Sequence, residues 1–125
     1  MAGLSELINR LSRPPEDLRA ENLRRWAASV PEATPIDQVE PRCKCIVAGV
    51  IQNVRIDPRE GRDSVEATII DGTGALVAKW LGRPSMSGIR LGMGLVILGV
   101  AGAGDDGDLV ILNPEYRLVP GPEHG

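Results

Sequence analysis

Aromatic side chains are scarce in this chain of 125 residues. Phenylalanine is absent, and the aromatic residues are two tryptophans and one tyrosine: Trp26, Trp80 and Tyr116. A protein that holds single-stranded nucleic acid mainly by stacking bases on aromatic rings needs more of them. The composition therefore argues against stacking as the dominant mode of any nucleic-acid binding.

Net positive charge is also missing. Fourteen Lys and Arg residues stand against seventeen Asp and Glu residues, which gives a formal net charge of −3 and a pI of about 5.1. Proteins that coat duplex DNA by bulk charge need a positive surface, so that class is excluded. Local cationic patches still act, because charges are screened over about 8 Å at physiological salt.

Long hydrophobic runs are absent as well. The longest weakly polar run, residues 94–104, has 11 residues, whereas a membrane-spanning helix needs roughly 20. The first residues carry Glu6 before any basic residue and contain no continuous apolar segment, unlike a secretory signal. We expect a cytoplasmic protein with no membrane partner.

Residues that ligate metals or perform catalysis are few. The two cysteines, Cys43 and Cys45, flank Lys44, and the single histidine, His124, lies in a tail rich in Gly and Pro. A zinc site needs about four ligands, and a Ser/His/Asp catalytic set needs a histidine beside its nucleophile. The acids within 105–108 suit a turn better than a calcium or magnesium site. We expect no metal, no cofactor and no enzymatic activity.

Residues 1–33 are predicted to form one or two α-helices and a linker. Two amphipathic patterns with helical spacing occupy this segment: Leu4, Leu7, Ile8 and Leu11, then Leu18, Leu23, Trp26, Ala27 and Val30. Such helices mostly exist to pack, so we expect them to cover the following domain or another subunit. In an alternative interpretation, residues 24–26 contact nucleic acid or a protein partner.

Residues 34–119 are predicted to form a five-stranded barrel. Five β-rich runs bounded by turn residues occupy 43–56, 64–71, 75–81, 94–102 and 108–113. Residues 71–74 and 104–107 are predicted hairpin turns, and 82–90 is either a short helix or an irregular crossover. A three-stranded meander, a crossover and a hairpin fit a small Greek-key barrel, which leaves few open strand edges. Residues 120–125 are expected to be a flexible tail.

A series of short motifs runs through residues 34–119 in a distinctive order. They are Thr34-Pro35-Ile36, Val47–Ile51 leading to Arg55, Gly61 flanked by Glu60 and Arg62, Ile69–Gly74, Trp80-Leu81-Gly82, Leu91-Gly92-Met93 and Asn113-Pro114-Glu115-Tyr116. The series resembles the OB fold, and most of all the wedge domain of RecG-type DNA helicases. The resemblance implies an OB barrel that engages branched DNA. The chain has no G-x-x-x-x-G-K-[ST] phosphate loop and no room for motor domains, so unwinding is not implied.

An OB barrel usually binds its ligand on the outer face of strands two and three, between the loops that join strands one to two and four to five. The first of these loops, 55–62, has a local charge of +1, and residues 79–90 hold three cations and no acid. The predicted nucleic-acid contacts are Arg55, Arg59, Arg62, Lys79, Trp80, Arg83 and Arg90. The acidic residues Asp105, Asp106 and Asp108 oppose binding at the other loop. We therefore predict weak, phosphate-directed binding of single-stranded or branched nucleic acid, DNA rather than RNA, with low sequence preference.

Two alternatives stay open at this stage. Trp80 shares its strand parity with Leu76, which favours the core, whereas a bulge near Gly82 would turn the ring outward to stack on a base. Tyr116 is expected to bury its ring. The alternative function is a non-catalytic protein-interaction or regulatory module that docks a partner, or associates with itself, through its N-terminal helices. The acidic pI and the few aromatic residues favour that alternative.

Overall fold

The computed structural model describes residues 15–59, 61–104 and 107–122. The predicted helical pattern within 4–11, the acids at 105 and 106, and His124 lie outside the described residues.

The described chain is mainly β-structure, as predicted. Its elements are helix α1 (Pro15–Ala28), a short 3-10 turn (Ile36–Gln38) and strands β1 (Lys44–Asp57), β2 (Ser64–Ile70), β3 (Ala75–Leu81), β4 (Gly94–Ala103), β5 (Leu109–Leu112) and β6 (Glu115–Val119). The first five strands coincide with the five predicted runs. The sixth strand, β6, was not anticipated, because Asn113-Pro114 reads as a terminator although the chain resumes pairing one residue later.

Five of the strands close into a ring. The strand order is β1-β2-β3-β5-β4, and β4 pairs back onto β1. The β3–β5 pairing is parallel, whereas the other described pairings are antiparallel. Strand β1 pairs with β4 over its first half and with β2 over its second half, with an irregularity between Ile51 and Asn53. A bulge of this kind bends a strand, so one long strand serves both sides of the barrel.

The core lies inside this ring. Its largest members are contributed by every strand of the ring: Val47, Ile51, Val65, Ile69, Leu76, Trp80, Leu95, Ile97 and Ile111. The crossover between β3 and β4 is irregular and contains no helix, which settles one of the alternatives left open by the sequence. Met86 in this crossover is buried against the core cluster.

Helix α1 packs on the outside of the barrel. Ala27 is buried against Ala48 of β1 and Val96 of β4, and Trp26 lies at the edge of the same cluster. The Trp26 indole also donates a 3.2 Å hydrogen bond to the carbonyl of Pro120, just beyond β6. The described part of the N-terminal segment therefore covers its own barrel. Among the described residues, no helix combines the length and the apolar character that a membrane span requires.

Candidate nucleic-acid interface

The outer face of β1, β2, β3 and β5 lies between the β1–β2 and β4–β5 connections. Strand register aligns Arg55, Glu66, Lys79 and Leu112 in one row across this face, one residue from each strand. The neighbouring row consists of Asn53, Thr68, Val77 and Val110. The face predicted to bind a ligand therefore has one row with two cations and one acid, and a neighbouring row with no charged residue.

Two of the predicted cations are held by neighbouring carboxylates. The Nζ atom of Lys79 lies 3.9 Å from a carboxylate oxygen of Glu66. The guanidinium of Arg59 donates hydrogen bonds of 2.7–3.0 Å to both carboxylate oxygens of Asp57. These hydrogen bonds from Arg59 lower the pKa of Asp57, and the same pairing raises the pKa of Arg59. Arg59 must therefore leave Asp57 to bind a phosphate through the same donors, whereas the contact of Lys79 with Glu66 is longer than a hydrogen bond.

The structure brings two other predicted cations to one end of the barrel. The Gly82 N–H donates a 2.8 Å hydrogen bond to the carbonyl of Asp63, which ties the start of the crossover to the end of the β1–β2 connection. Arg62 and Arg83 flank these two residues in sequence, and both side chains are exposed. Within the described residues, neither Arg62 nor Arg83 forms an ion pair.

Arg55 and Arg90 have different positions. Arg55 is exposed near the end of β1, in the row that crosses the outer face. Arg90 lies at the far end of the crossover, where the Gly92 N–H donates to the carbonyl of Ile51 in the middle of β1 (2.9 Å). Arg55 therefore lies on the outer face, and Arg62 and Arg83 lie together at one end of the barrel. Arg90 lies at the other end of the crossover, apart from these three residues.

Trp80 points into the core. Its residue is 4% exposed, since its register with Val65 places it on the inward parity of β3. The indole N–H donates a 3.0 Å hydrogen bond to the carbonyl of Pro114. This corrects the inclusion of Trp80 among the predicted contacts, because its ring is not available to a base on the outer face. Tyr116, expected to be buried, is instead 37% exposed.

The Asn113–Tyr116 segment ties β3 to the corner between β5 and β6. The side-chain oxygen of Asn113 accepts a 2.9 Å hydrogen bond from the Leu81 N–H, and the Asn113 N–H donates to the Lys79 carbonyl (2.6 Å). Asn113 has a φ of 49°, a left-handed conformation that Asn tolerates better than most residues. In the sequence, this segment served only as one of the motifs by which the chain resembles the OB fold. The hydrogen bonds to β3 depend on tertiary structure, so the local sequence gave no signal for them.

Asp71 is a second residue whose role the sequence did not show. It is 1% exposed, and its carboxylate accepts hydrogen bonds from the Thr73 N–H (2.9 Å), the Thr73 hydroxyl (2.7 Å) and the Ile36 N–H (2.9 Å). The hairpin turn predicted at 71–74 is confirmed, and the local bonds to Thr73 are typical of Asp in turns. The hydrogen bond from the Ile36 N–H was not predicted from the sequence.

A cavity of about 500 Å³ lies on the outer face. Its lining combines an aliphatic group, Val77, Val110 and the 56% exposed Leu112 (the aliphatic floor), with the charged residues Glu66, Lys79 and Asp108. Among the described residues that line it there is no aromatic ring. A ligand on this floor would meet aliphatic surface rather than a stacking platform.

The described residues contain no group of three or more His, Cys, Asp and Glu side chains that could hold a metal ion. The Cys43 and Cys45 thiols at the start of β1 are free. Cys45 packs partly against the core, and burial, with a smaller contribution from Cys43, raises the pKa of its thiol.

No protein-family model matches the chain, and no curated protein sequence matches it. Solved structures do share its barrel. The structure of RecG bound to a three-way DNA junction superposes with a TM-score of 0.59 at 18% identity, over 74% of this chain and 13% of the RecG chain. OBody AM3L09 bound to hen egg-white lysozyme superposes with a TM-score of 0.58 at 16% identity, over 74% of this chain and 99% of that chain. OBody AM1L10, also bound to hen egg-white lysozyme, gives a TM-score of 0.55 at 15% identity, over 73% of this chain and 96% of that chain.

The chain has an OB fold. The closed ring, the parallel β3–β5 pairing and these superpositions agree, so the OB barrel predicted from the motif order is confirmed. The outer face described above is the face on which OB folds bind oligonucleotides and oligosaccharides.

Proposed function

We propose that this OB-fold protein binds single-stranded or branched nucleic acid weakly and with low sequence preference, through phosphate contacts to Arg55, Arg62 and Arg83. The observation that carries the proposal is the Gly82–Asp63 hydrogen bond, which places Arg62 and Arg83 at one end of the barrel. Arg55 continues the positive charge onto the outer face. Contacts to phosphates position a strand without reading its bases, so low sequence preference follows.

DNA is the proposed polymer because RecG, which shares the fold, has been solved with a three-way DNA junction. The matched part is 13% of the RecG chain, so the helicase activity of that protein is not carried over. The proposed role is binding without catalysis, in the cytoplasm.

Weak binding follows from the charges around the proposed contacts. Glu66 stands beside Arg55 and Lys79 in the same row, Asp57 holds Arg59, and Asp108 lies at the margin of the outer-face cavity. Each carboxylate repels phosphate locally. Three phosphate contacts produce a modest dependence of affinity on salt, with a slope of log K against log salt of about −2, since each contact on a single strand contributes about 0.7.

A titration of labelled single-stranded, duplex and forked DNA at several salt concentrations tests the proposal. Replacing Arg62 or Arg83 singly with Ala should lower affinity and reduce the salt slope by about 0.7 for the arginine–phosphate interaction removed. Arg90→Ala is the matched control, because it removes the same charge at the far end of the crossover and should leave the slope unchanged. Equal effects of the Arg90 and Arg62 variants would show that bulk charge, rather than this site, governs binding.

The aliphatic floor of the outer face favours a second candidate, a protein-interaction module. Two OBody chains of the same fold have been solved bound to hen egg-white lysozyme. Here the exposed Leu112, with Val77 and Val110, offers apolar surface that a protein partner would cover. The sheet is a better docking surface than α1, whose Ala27 is already packed on the barrel. Failure of the wild-type protein to bind any oligonucleotide at low salt would favour this candidate.

A further inference from the structure

A second cavity, of about 600 Å³, lies at the end of the barrel where β3 meets the corner between β5 and β6. It is lined by side chains that differ in chemistry from the aliphatic floor of the outer face. Among them are Trp80, Arg83, Asn113, Glu115 and Tyr116. Its volume lies in the range of small-molecule sites, about 300–1,000 Å³.

Tyr116 is an aromatic residue held in place at the edge of this cavity. Its ring centroid lies 5.3 Å from that of Trp80 at an interplanar angle of 66°, an edge-to-face contact. Trp80 is itself fixed by burial and by the hydrogen bond to Pro114. Tyr116 nevertheless remains 37% exposed. A partly exposed ring supported by a buried ring loses little conformational entropy when a ligand stacks on it.

Polar residues of three kinds line the cavity together with Tyr116. Arg83 supplies a cation that has no ion-pair partner within the described residues. The side-chain oxygen of Asn113 is bonded to Leu81, whereas its NH₂ group has no hydrogen-bond partner among the described residues. The carboxylate of Glu115 is an acceptor that also lines the cavity. An aromatic ring, a guanidinium, an amide donor and a carboxylate acceptor are the groups that recognise a nucleotide.

We infer that this cavity is a nucleotide subsite, which takes one unstacked base of the bound strand onto Tyr116 and the adjoining phosphate onto Arg83. The inference rests on the proposed function, since Arg83 belongs to the phosphate-contacting group. It assigns the stacking role to Tyr116 rather than Trp80. Glu115 accepts hydrogen bonds only, so a base with an amino group on its edge, such as cytosine, is favoured over thymine.

The test compares Tyr116→Leu with Tyr116→Phe in oligonucleotide titrations. Tyr116→Leu should weaken binding about five-fold or more, because it removes the stacking ring. Its salt slope should equal that of the wild type, because stacking releases no counterions. Tyr116→Phe keeps the ring and should bind within about two-fold of the wild type. Melting curves of both variants identify any reduction in affinity that arises from unfolding.

A base-free strand provides the matched ligand. An abasic deoxyribose-phosphate oligomer should bind Tyr116→Leu and the wild type with equal affinity. Oligo-dC should bind Tyr116→Leu more weakly than the wild type, and oligo-dT should show a smaller difference between the two proteins. In a Trp26→Phe background Trp80 is the sole tryptophan, so its fluorescence reports a base arriving on Tyr116. Oligo-dC should change that fluorescence, and the abasic oligomer should not.

The outcomes separate the subsite from the proposed function. Equal binding of oligo-dC by Tyr116→Leu and the wild type would overturn the subsite, and an Arg62-dependent salt slope would then leave the phosphate site standing. Wild-type protein that binds no oligonucleotide at low salt would overturn both. If Tyr116→Leu weakened the binding of oligo-dC and of the abasic oligomer by the same five-fold, the subsite would also be overturned. Tyr116 would then affect binding of the backbone alone.

Discussion

The buried carboxylate of Asp71 accepts a 2.9 Å hydrogen bond from the backbone N–H of Ile36, which lies 35 residues earlier in the chain. The same carboxylate closes the β2–β3 turn through Thr73. Ile36 is 3% exposed and belongs to the barrel core. One anion therefore joins the segment that precedes the barrel to the hairpin turn, and leaves the buried donor of Ile36 satisfied.

Replacing Asp71 with Asn should destabilise the protein by about 2 kcal/mol. The amide keeps the size of the side chain but loses the charge and turns an NH₂ group towards backbone donors, and hydrogen bonds to charged groups contribute about 1.5–3 kcal/mol. Thermal or urea unfolding measures the change. Asp37→Asn, an exposed acid in the same segment, is the control and should stay within about 0.5 kcal/mol of the wild type. Equal stability of the Asp71 and Asp37 variants would contradict this role of the carboxylate.

Replacing Gly72 with Ala should loosen α1 from the barrel. Gly72 has a φ of 88°, and a Cβ atom there would overlap the carbonyl oxygen of Ala20 and crowd Arg24, both in α1. Gly82→Ala is the matched control, because Gly82 has a φ of 74° but nothing within 4 Å of the added atom. Both variants carry the cost of a left-handed alanine, about 1–2 kcal/mol. Only Gly72→Ala should also change Trp26 fluorescence and increase amide exchange in α1.

Replacing Asp57 with Asn should strengthen nucleic-acid binding. The substitution releases Arg59 from its bidentate pair, and a freed guanidinium that binds one further phosphate steepens the salt slope by about 0.7. Asp63→Asn removes the same charge nearby without releasing Arg59, so it should raise affinity without steepening the slope as much. Identical slopes for the two variants would show that the Asp57–Arg59 pair does not restrain binding.

The stability that this pair contributes should disappear in acid. Because the pKa of Asp57 is lowered in the folded protein, the contribution is present above the ordinary pKa of Asp and is lost as the pH falls through the lowered value. The stabilities of the wild type and Asp57→Asn, measured by unfolding, should therefore converge as the pH falls through the lowered pKa of Asp57. The effect is small at neutral pH, since the pair is exposed to solvent. A difference that persists unchanged in acid would point to another cause.

The two cysteines should differ in their reaction with iodoacetamide. Cys43 is exposed and should be modified first. The pKa of the Cys45 thiol is raised above 9.0 by burial and then by Cys43, so its thiolate fraction at pH 8 is lower in the folded protein than in the unfolded chain, and the thiolate is the reactive form. Mass spectrometry over pH 7.5–9.5 should show slow Cys45 labelling that rises with pH and accelerates in urea. Equal rates in the folded protein would contradict the difference in burial.

Much of the barrel could be predicted from local sequence. Their β-rich composition between turn residues marked β2 and β3, and Asp71–Gly74 marked the turn between them, because strand propensity and turn chemistry depend on neighbouring residues. The five runs and their order predicted a small Greek-key barrel, and the resemblance of the motif series implied that this barrel is an OB fold. Strand β6 was missed because Pro114 interrupts the pattern, although the chain continues along β4 after it.

The candidate site was less predictable, because a set of cations read from the sequence does not reveal their partners. Cross-strand register places Glu66 beside Lys79, and Asp57 at the end of β1 forms hydrogen bonds with Arg59, so two predicted contacts each have a carboxylate neighbour. The adjacency of Arg62 and Arg83 depends on a backbone bond between two connections that are far apart in sequence.

Sequence alone predicted five of the six described strands and the hairpin turn at residues 71–74, since these follow from backbone propensities over a few residues. The tertiary structure decided the rest: that Trp80 is core, that Asp71 binds Ile36, and that Tyr116 rather than Trp80 is exposed at the cavity that Arg83 also lines. These relationships join residues dozens of positions apart, and their energies arise from burial and hydrogen bonds that exist only once the barrel has closed.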